Sequence, residues 1–299
     1  FKRFYDFEPD MIVCDKHPTY ETTKWAKAQN LEDNNLVQVQ HHYAHVLSCM
    51  AEYSIDEKVL AFSWDGTGYG DDGNIWGGEV FIANTKEYER INHFKYFKLL
   101  GGEKAVREPK RVGLSLLFES FTLDKILLLD NDCVKSFTQK EIQTMHLMWR
   151  KGLNAPLTSS VGRIFDAVSS LGGFSQIVGY EGESGLLIEN EYDESIDEYY
   201  SYKINEQIDI SKLICEMIQE KDKKVIATKF INSLCQIIID VAIEYPSLPI
   251  ILTGGVFQNK TLTQKVSKKL EEINRKVYIQ YDTPLNDGGL SIGQIYHVI

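Results

Sequence analysis

VQVQHHYAHVLSCMAEY, residues 37–53, changes its period in mid-stretch. Val37, Gln38, Val39 and Gln40 alternate apolar with polar, as on a half-buried strand. From His41 the apolar residues Ala44, Leu47 and Ala51 recur at three and four, with Val46 and Met50 beside them, which predicts a helix. The switch falls on His41, His42 and His45, three of the seven histidines in the chain. On a helix His41 and His45 project to one side and can grip one ion. His42 stands where H-E-x-x-H has its glutamate, so the base of a metalloprotease is missing. A histidine-rich first turn capped by its neighbours is the rival reading. Two neutral imidazoles rarely hold a metal alone, so carboxylates have to complete the shell.

Two strand ends offer such carboxylates. DGTGYG, residues 65–70, follows the apolar strand that starts at Val59, and its glycines let the backbone approach a ligand closely. A glycine-rich hairpin turn reads almost the same way. NDGG, residues 286–289, ends another strand and opens the last helix, where Asp287 is a ligand candidate or an N-cap. TGGVFQN, residues 253–259, puts Gly254 and Gly255 after an apolar strand, with room for a phosphate or ribose. It is neither a P-loop nor a Rossmann fingerprint, and a tight turn with a helix cap is its rival. SSVGRIFD, residues 159–166, sets Gly162, Arg163 and Asp166 on one helical turn. Asp166 suits ribose hydroxyls and Arg163 a phosphate, or the two form a plain ion pair. Lys104, Arg107, Lys110 and Arg111 form the one clear basic cluster, either facing phosphates or solvated.

The 299 residues are 43% apolar and carry a net charge of −11, which disfavours a nucleic-acid partner. No apolar run approaches the ~18 residues of a membrane span, so a cytoplasmic protein away from the membrane is expected. The five scattered cysteines include no C-x-x-C pair, which speaks against a zinc finger and fits reduced thiols. Strands are expected at 11–14, 59–64, 75–83 and 250–252. Helices are expected at about 20–30, through 124–151, and at 211–221 and 224–244. The order is mixed α/β with glycines at the strand-to-helix junctions, where ligands of such sheets collect. One strand, with no sheet ahead of it, opens the chain, so it reads as a piece of a larger fold.

Seven stretches, taken in order, resemble one family closely: VQHHYAH, WDGTGYGDDGNIWGGE, GGEKAVREPKR, LTSSVGRIFDAV, YEGES, LTGGVFQN and PLNDGGLSIGQ. They are similar to the C-terminal transferase region of the HypF family of hydrogenase-maturation carbamoyltransferases, and CDKHPTY resembles its opening segment. The resemblance implies an α/β fold of the actin, sugar-kinase and Hsp70 type, with a nucleotide and metal cleft between two lobes, here 1–155 and 156–299. It implies iron or zinc on His41, His45, Asp65 and Asp287. Gly162, Asp166, Gly254, Gly255 and Asn259 match the family's nucleotide-binding motifs, with Arg163 beside them.

In that family carbamoyl phosphate and ATP yield carbamoyl adenylate in a preceding domain; magnesium is a further candidate cofactor here. The transferase region then passes the carbamoyl group to the C-terminal cysteine of HypE, and dehydration gives the cyanide ligands of nickel–iron hydrogenase. The acylphosphatase-like, zinc-finger and adenylate-forming domains have no counterpart in these residues, nor do the first strands of the transferase fold. Two rivals are kept: O-carbamoyl transfer to a small molecule, and a nucleotide-binding module without catalysis. A small-molecule kinase of this fold would hold magnesium through carboxylates and water, which the histidine pair argues against.

Overall fold

The computed structural model describes residue 4, residues 9–29 and residues 35–299. β1 (Ile12–Asp15) runs parallel to β2 (Leu36–Val39), with Asp15 opposite Val39. The strand lies one residue later than the expected 11–14, which puts a carboxylate at its buried end. α1 (Glu21–Lys27) covers most of the expected 20–30 helix, and Asn30 lies outside the described residues. α2 (His41–Tyr53) begins where the period changes. Gln40, in extended backbone, caps it by accepting the Tyr43 N–H at 2.8 Å.

β3 (Val59–Tyr69) and β4 (Ile75–Ala83) form an antiparallel hairpin, followed by β5 (Tyr88–His93) and β6 (Phe97–Lys98). α3 (Glu103–Arg107) and α4 (Pro109–Ser120) come next. The stretch expected to be helical through 124–151 divides into α5 (Leu123–Leu127), α6 (Asp132–Lys135) and α7 (Gln139–Lys151). The breaks fall where the Asn131 and Thr138 side chains cap the following helix, Thr138 in a capping box with Glu141. β7 (Leu157–Thr158), α8 (Val161–Leu171) and α9 (Glu183–Glu189) follow. Then come β8 (Lys203–Ile204), β9 (Ile208–Asp209), α10 (Ser211–Met217) and α11 (Lys223–Glu244). β10 (Ile250–Thr253), α12 (Lys260–Glu272), β11 (Val277–Tyr278) and α13 (Leu290–Tyr296) close the chain.

The main sheet has seven strands, in the order β11-β10-β3-β4-β7-β6 with β5 also on β4. β10 lies parallel to β3, so strands from both sides of residue 155 share this sheet. The sheet separates two apolar layers, and alternate residues of each strand serve one or the other. Leu60, Phe62, Trp64, Val80 and Leu252 face the larger core with α8 and α11. Val59, Ala61, Phe81 and Ile251 face the smaller core under α2, with Leu47 and Met50. Every residue of α2 from His41 through Met50 is buried, a wider burial than its apolar stripe predicts. The sheet lies beneath it and α13 packs across it, with Gly293 against Ala44. α11 is long and apolar enough to cross a membrane, against the expectation that no run qualifies, but 78% of its apolar window is buried inside the protein.

Candidate metal and nucleotide site

β3 and β4 lose register between Trp64 and Gly68. A bulge there bends the strand and re-aims the side chains beside it. Asp65 sits in this bulge, 8% exposed. Its Oδ1 accepts the N–H groups of Gly66 at 2.8 Å and Gly255 at 3.2 Å, which leaves Oδ2 for α2. The glycines are required by space. A Cβ at Gly255 would sit 2.7 Å from Asp65 Oδ1, and one at Gly68 would run into the rings of His42 and His41. Gly254 adopts φ +97 against the Trp64 carbonyl, a turn that favours glycine.

His41, His45, Asp65 and Asp287 each offer a donor atom, and the four atoms lie within 4.8 Å of one another. His41 Nε2 is 3.4 Å from Asp65 Oδ2 and 3.5 Å from Asp287 Oδ1. His45 Nε2 is 3.3 and 3.5 Å from the same two oxygens. Donors about 2.0–2.2 Å from one tetrahedral ion stand roughly 3.3–3.5 Å apart, so the spacing suits an ion between them. His45 is fully buried, and neither of its ring nitrogens has an aligned hydrogen-bond partner among the described residues. Nitrogen and carboxylate donors in this proportion suit zinc or iron.

Without an ion, protons take its place. Burial alone would push both imidazoles down, but Asp15, Asp287 and Asp65 hold His41 well above its ordinary value, and Asp287 and Asp65 raise His45. Burial would raise the Asp65 carboxyl, yet His41 and His45 hold it well below the usual range, and Asp287 is lowered in the same way. Sequence reasoning missed two residues here. Asp15 Oδ2 lies 2.9 Å from His41 Nδ1 and orients that ring. Ser160, the N-cap of α8, shares its hydroxyl proton between the carbonyls of Asp65 at 2.8 Å and Gly66 at 2.6 Å. The sequence marks Asp15 as the end of a strand, and nothing in the spacing ties it to His41.

A cavity of about 580 Å³ adjoins the cluster, with Asp65 and Asp287 among its lining residues. Of the six residues expected at a nucleotide, Gly162, Arg163, Asp166, Gly255 and Asn259 line it, and Gly254 shapes the turn behind. Gly162 lets α8 touch the bulge, since a Cβ there would meet Gly66 Cα at 2.8 Å. Arg163 and Asp166 form the ion pair, buried and at 3.0 Å, and both also line the cavity. Burial raises the Asp166 carboxyl, with Arg163 opposing. Asn259 also caps α12, accepting the Leu262 N–H at 2.9 Å. Glu181 and Glu189 add two further carboxylates to the wall. The basic cluster does not line this cavity. Arg111 pairs with Glu108 at 2.6 Å, and Lys104 borders a separate hollow beside His17 and Tyr20.

Comparisons with known proteins show the family. Residues 61–294 match the family model described as carbamoyltransferase, Kae1-like domain, second subdomain, and residues 1–52 match the HypF Kae1-like domain. The first model ends at residue 52 and the second begins at 61, near the start of β3, where the smaller sheet gives way to the larger. Carbamoyltransferase HypF of Synechocystis sp. is 36% identical over 98% of this chain, which spans 40% of that protein. The probable carbamoyltransferase HypF of Methanocaldococcus jannaschii is 31% identical over 95% of this chain, which spans 38% of it. A crystal structure of full-length HypF in its phosphate- and nucleotide-bound form superimposes with a TM-score of 0.90 at 34% identity, covering 99% of this chain and 40% of that one. The α/β fold of the actin, sugar-kinase and Hsp70 type follows from that superposition. A family match over most of the chain, with close relatives along its whole length, makes this protein a member of the HypF carbamoyltransferase family, corresponding to its Kae1-like region.

Proposed function

We propose that this region binds the nucleotide end of carbamoyl adenylate and passes the carbamoyl group to a cysteine thiolate of HypE, on the way to the cyanide ligands of nickel–iron hydrogenase. The observation that carries the reading is shared ownership of two residues: Asp65 and Asp287 belong both to the four-donor cluster and to the wall of the cavity. A phosphate held against these two residues would lie next to the cluster. The relative whose structure was solved with phosphate and nucleotide bound supports the same reading.

His41, His45, Asp65 and Asp287 would hold iron or zinc, which supplies positive charge for the phosphate that leaves with AMP. The remaining walls are acidic, with Arg163 set among Asp166, Glu181 and Glu189, so magnesium is a candidate second cation. Asp166 accepts from the ribose hydroxyls, and Gly162 and Gly255 let the backbone approach the phosphate. The acceptor sulfur attacks the carbamoyl carbon. A C–S bond forms as the C–O bond to the AMP phosphate breaks, and the thiol proton passes to solvent. Backbone N–H groups and Arg163 stabilise the charge on the carbamoyl oxygen. Making the adenylate from carbamoyl phosphate and ATP is assigned to the other parts of the relatives, of which this chain spans about 40%.

The test is calorimetric titration of ATP into metal-loaded protein, chelated protein and His41→Ala. Binding that weakens in the second and third samples supports one cleft for metal and nucleotide, and equal binding in all three overturns it. Carbamoyl adenylate and the acceptor should then give a thiocarboxamide. Tight binding without product would favour a non-catalytic module, and a carbamoylated hydroxyl would favour O-carbamoyl transfer.

A further inference from the structure

His41, His45, Ser48 and Glu52 recur along α2 at four, three and four residues, and so share one face of the helix. That face holds the segment 280–289 along its length. His41 and His45 meet Asp287 at the N-terminal end. Ser48 Oγ accepts from Gln280 Nε2 at 3.3 Å. Glu52 takes the largest share. Its Oε1 accepts the N–H of Tyr281 at 2.8 Å and of Asp282 at 3.2 Å. Its Oε2 accepts the Thr283 N–H at 2.9 Å and the Thr283 hydroxyl at 2.7 Å. One carboxylate thus closes four donors on three consecutive residues.

The segment has other ties at its ends, where Gln280 Nε2 donates to the Pro284 carbonyl at 3.2 Å and Leu285 packs against the larger core, but residues 281–283 lie between them. No residue from 281 to 284 is buried, and Tyr281 is 89% exposed. Asp287 is also the loosest of the four cluster residues. Its side chain is 61% exposed, against 0% for each histidine and 11% for Asp65. Its reach toward the histidines is therefore set by the backbone that carries it.

We propose that Glu52 is a positioning residue for the metal site: it latches residues 281–283 to α2 and thereby sets where Asp287 stands. Glu52 touches none of the four donors. The helix that supplies two ligands thus also fixes the placement of a third. The inference rests on the metal reading above, and the experiment separates the two.

Zinc affinity is measured by chelator competition for the wild type, Glu52→Ala, Glu52→Gln, Asp287→Ala and the double variant Glu52→Ala with Asp287→Ala. Backbone amide exchange is read on the chelated proteins. Glu52→Ala should weaken zinc binding about 10-fold, the low end for loss of a supporting partner. Glu52→Gln, which keeps one acceptor oxygen, should fall between. In the Asp287→Ala background Glu52→Ala should cost nothing more, because its effect runs through Asp287. Exchange should rise over residues 281–289 and stay unchanged in β3. Full additivity of the two substitutions would overturn the proposal, and so would unchanged exchange over 281–289. A wild-type chain that takes up no zinc would sink the metal reading, while the exchange data would still decide the latch.

Discussion

The Asp15 carboxylate stands 2.9 Å from His41 Nδ1, both side chains buried, and so decides which imidazole nitrogen faces the cleft. With Nδ1–H donating to Asp15, Nε2 is the nitrogen turned toward Asp65 and Asp287, where it carries a proton or takes an ion. Asp15 is held in turn by the His17 N–H at 2.7 Å.

Replacing a ligand and replacing its orienting partner should differ in kind. His45→Ala is expected to lower metal affinity on the order of 10-fold or more, and Asp15→Asn by about 10-fold, with metal stoichiometry unchanged in the second case. Chelator competition and metal analysis of the purified variants check both. Unchanged affinity in Asp15→Asn would reduce Asp15 to a residue of the turn at His17.

Asp166 lines the cavity but is absent from the four-donor cluster. Asp166→Ala should weaken nucleotide binding and leave the metal in place, read by ATP calorimetry beside metal analysis. Loss of both would mean that Asp166 serves the fold, through its ion pair with Arg163.

The ionisation of the cluster makes chelated and metal-loaded protein respond oppositely to pH. His41 and His45 have folded values above their ordinary 6.5. Their contribution is complete below 6.5 and is lost as pH rises through the raised folded values. Asp65 works in the other direction: its contribution is present above its ordinary 3.8 and lost on acidification through its lowered value. The melting temperature of chelated protein should therefore fall as pH climbs from 6.5. Metal-loaded protein should not show that fall, since the ion replaces the protons, and its affinity should rise over the same window. Parallel melting curves with and without chelator would contradict this.

Gly293 carries the contact of α13 with α2. A Cβ there would strike the Ala44 carbonyl oxygen and lie 2.8 Å from the Ser48 N. Gly293→Ala should destabilise the protein by about 1–3 kcal/mol, as overpacking does when backbone must move. The denaturant midpoint measures this, and an unchanged midpoint would show that α13 shifts freely.

Much of the site was legible because it is written locally. A change of period from two to three and four marks where β2 ends and α2 begins, since each period follows from backbone dihedrals over a few residues. The four-residue spacing of His41 and His45 fixes their common face, and an acidic residue at the end of an apolar strand marks Asp65. Asp287 was legible as a ligand candidate or an N-cap, the family resemblance implies the ligand role, and the fold brings the four together.

Other features depend on pairings that no local pattern encodes. Asp15 reaches His41 across 26 residues, and Glu52 reaches Tyr281 across 229. The loss of register at Trp64 re-aims Asp65, and register is settled by which neighbours a strand finds. The pairing of β10 with β3 puts strands from before and after residue 155 into one sheet, which chain order alone does not disclose. Whether the basic cluster of Lys104, Arg107, Lys110 and Arg111 faces phosphates or solvent was left open in the sequence, since proximity in sequence says nothing about which cavity a helix borders, and it does not line the cavity beside Asp65. What the sequence alone determined were the elements and the chemistry they can offer. Which of those groups meet was decided by packing, because burying both faces of one sheet selects a single set of long-range contacts from many that local rules allow.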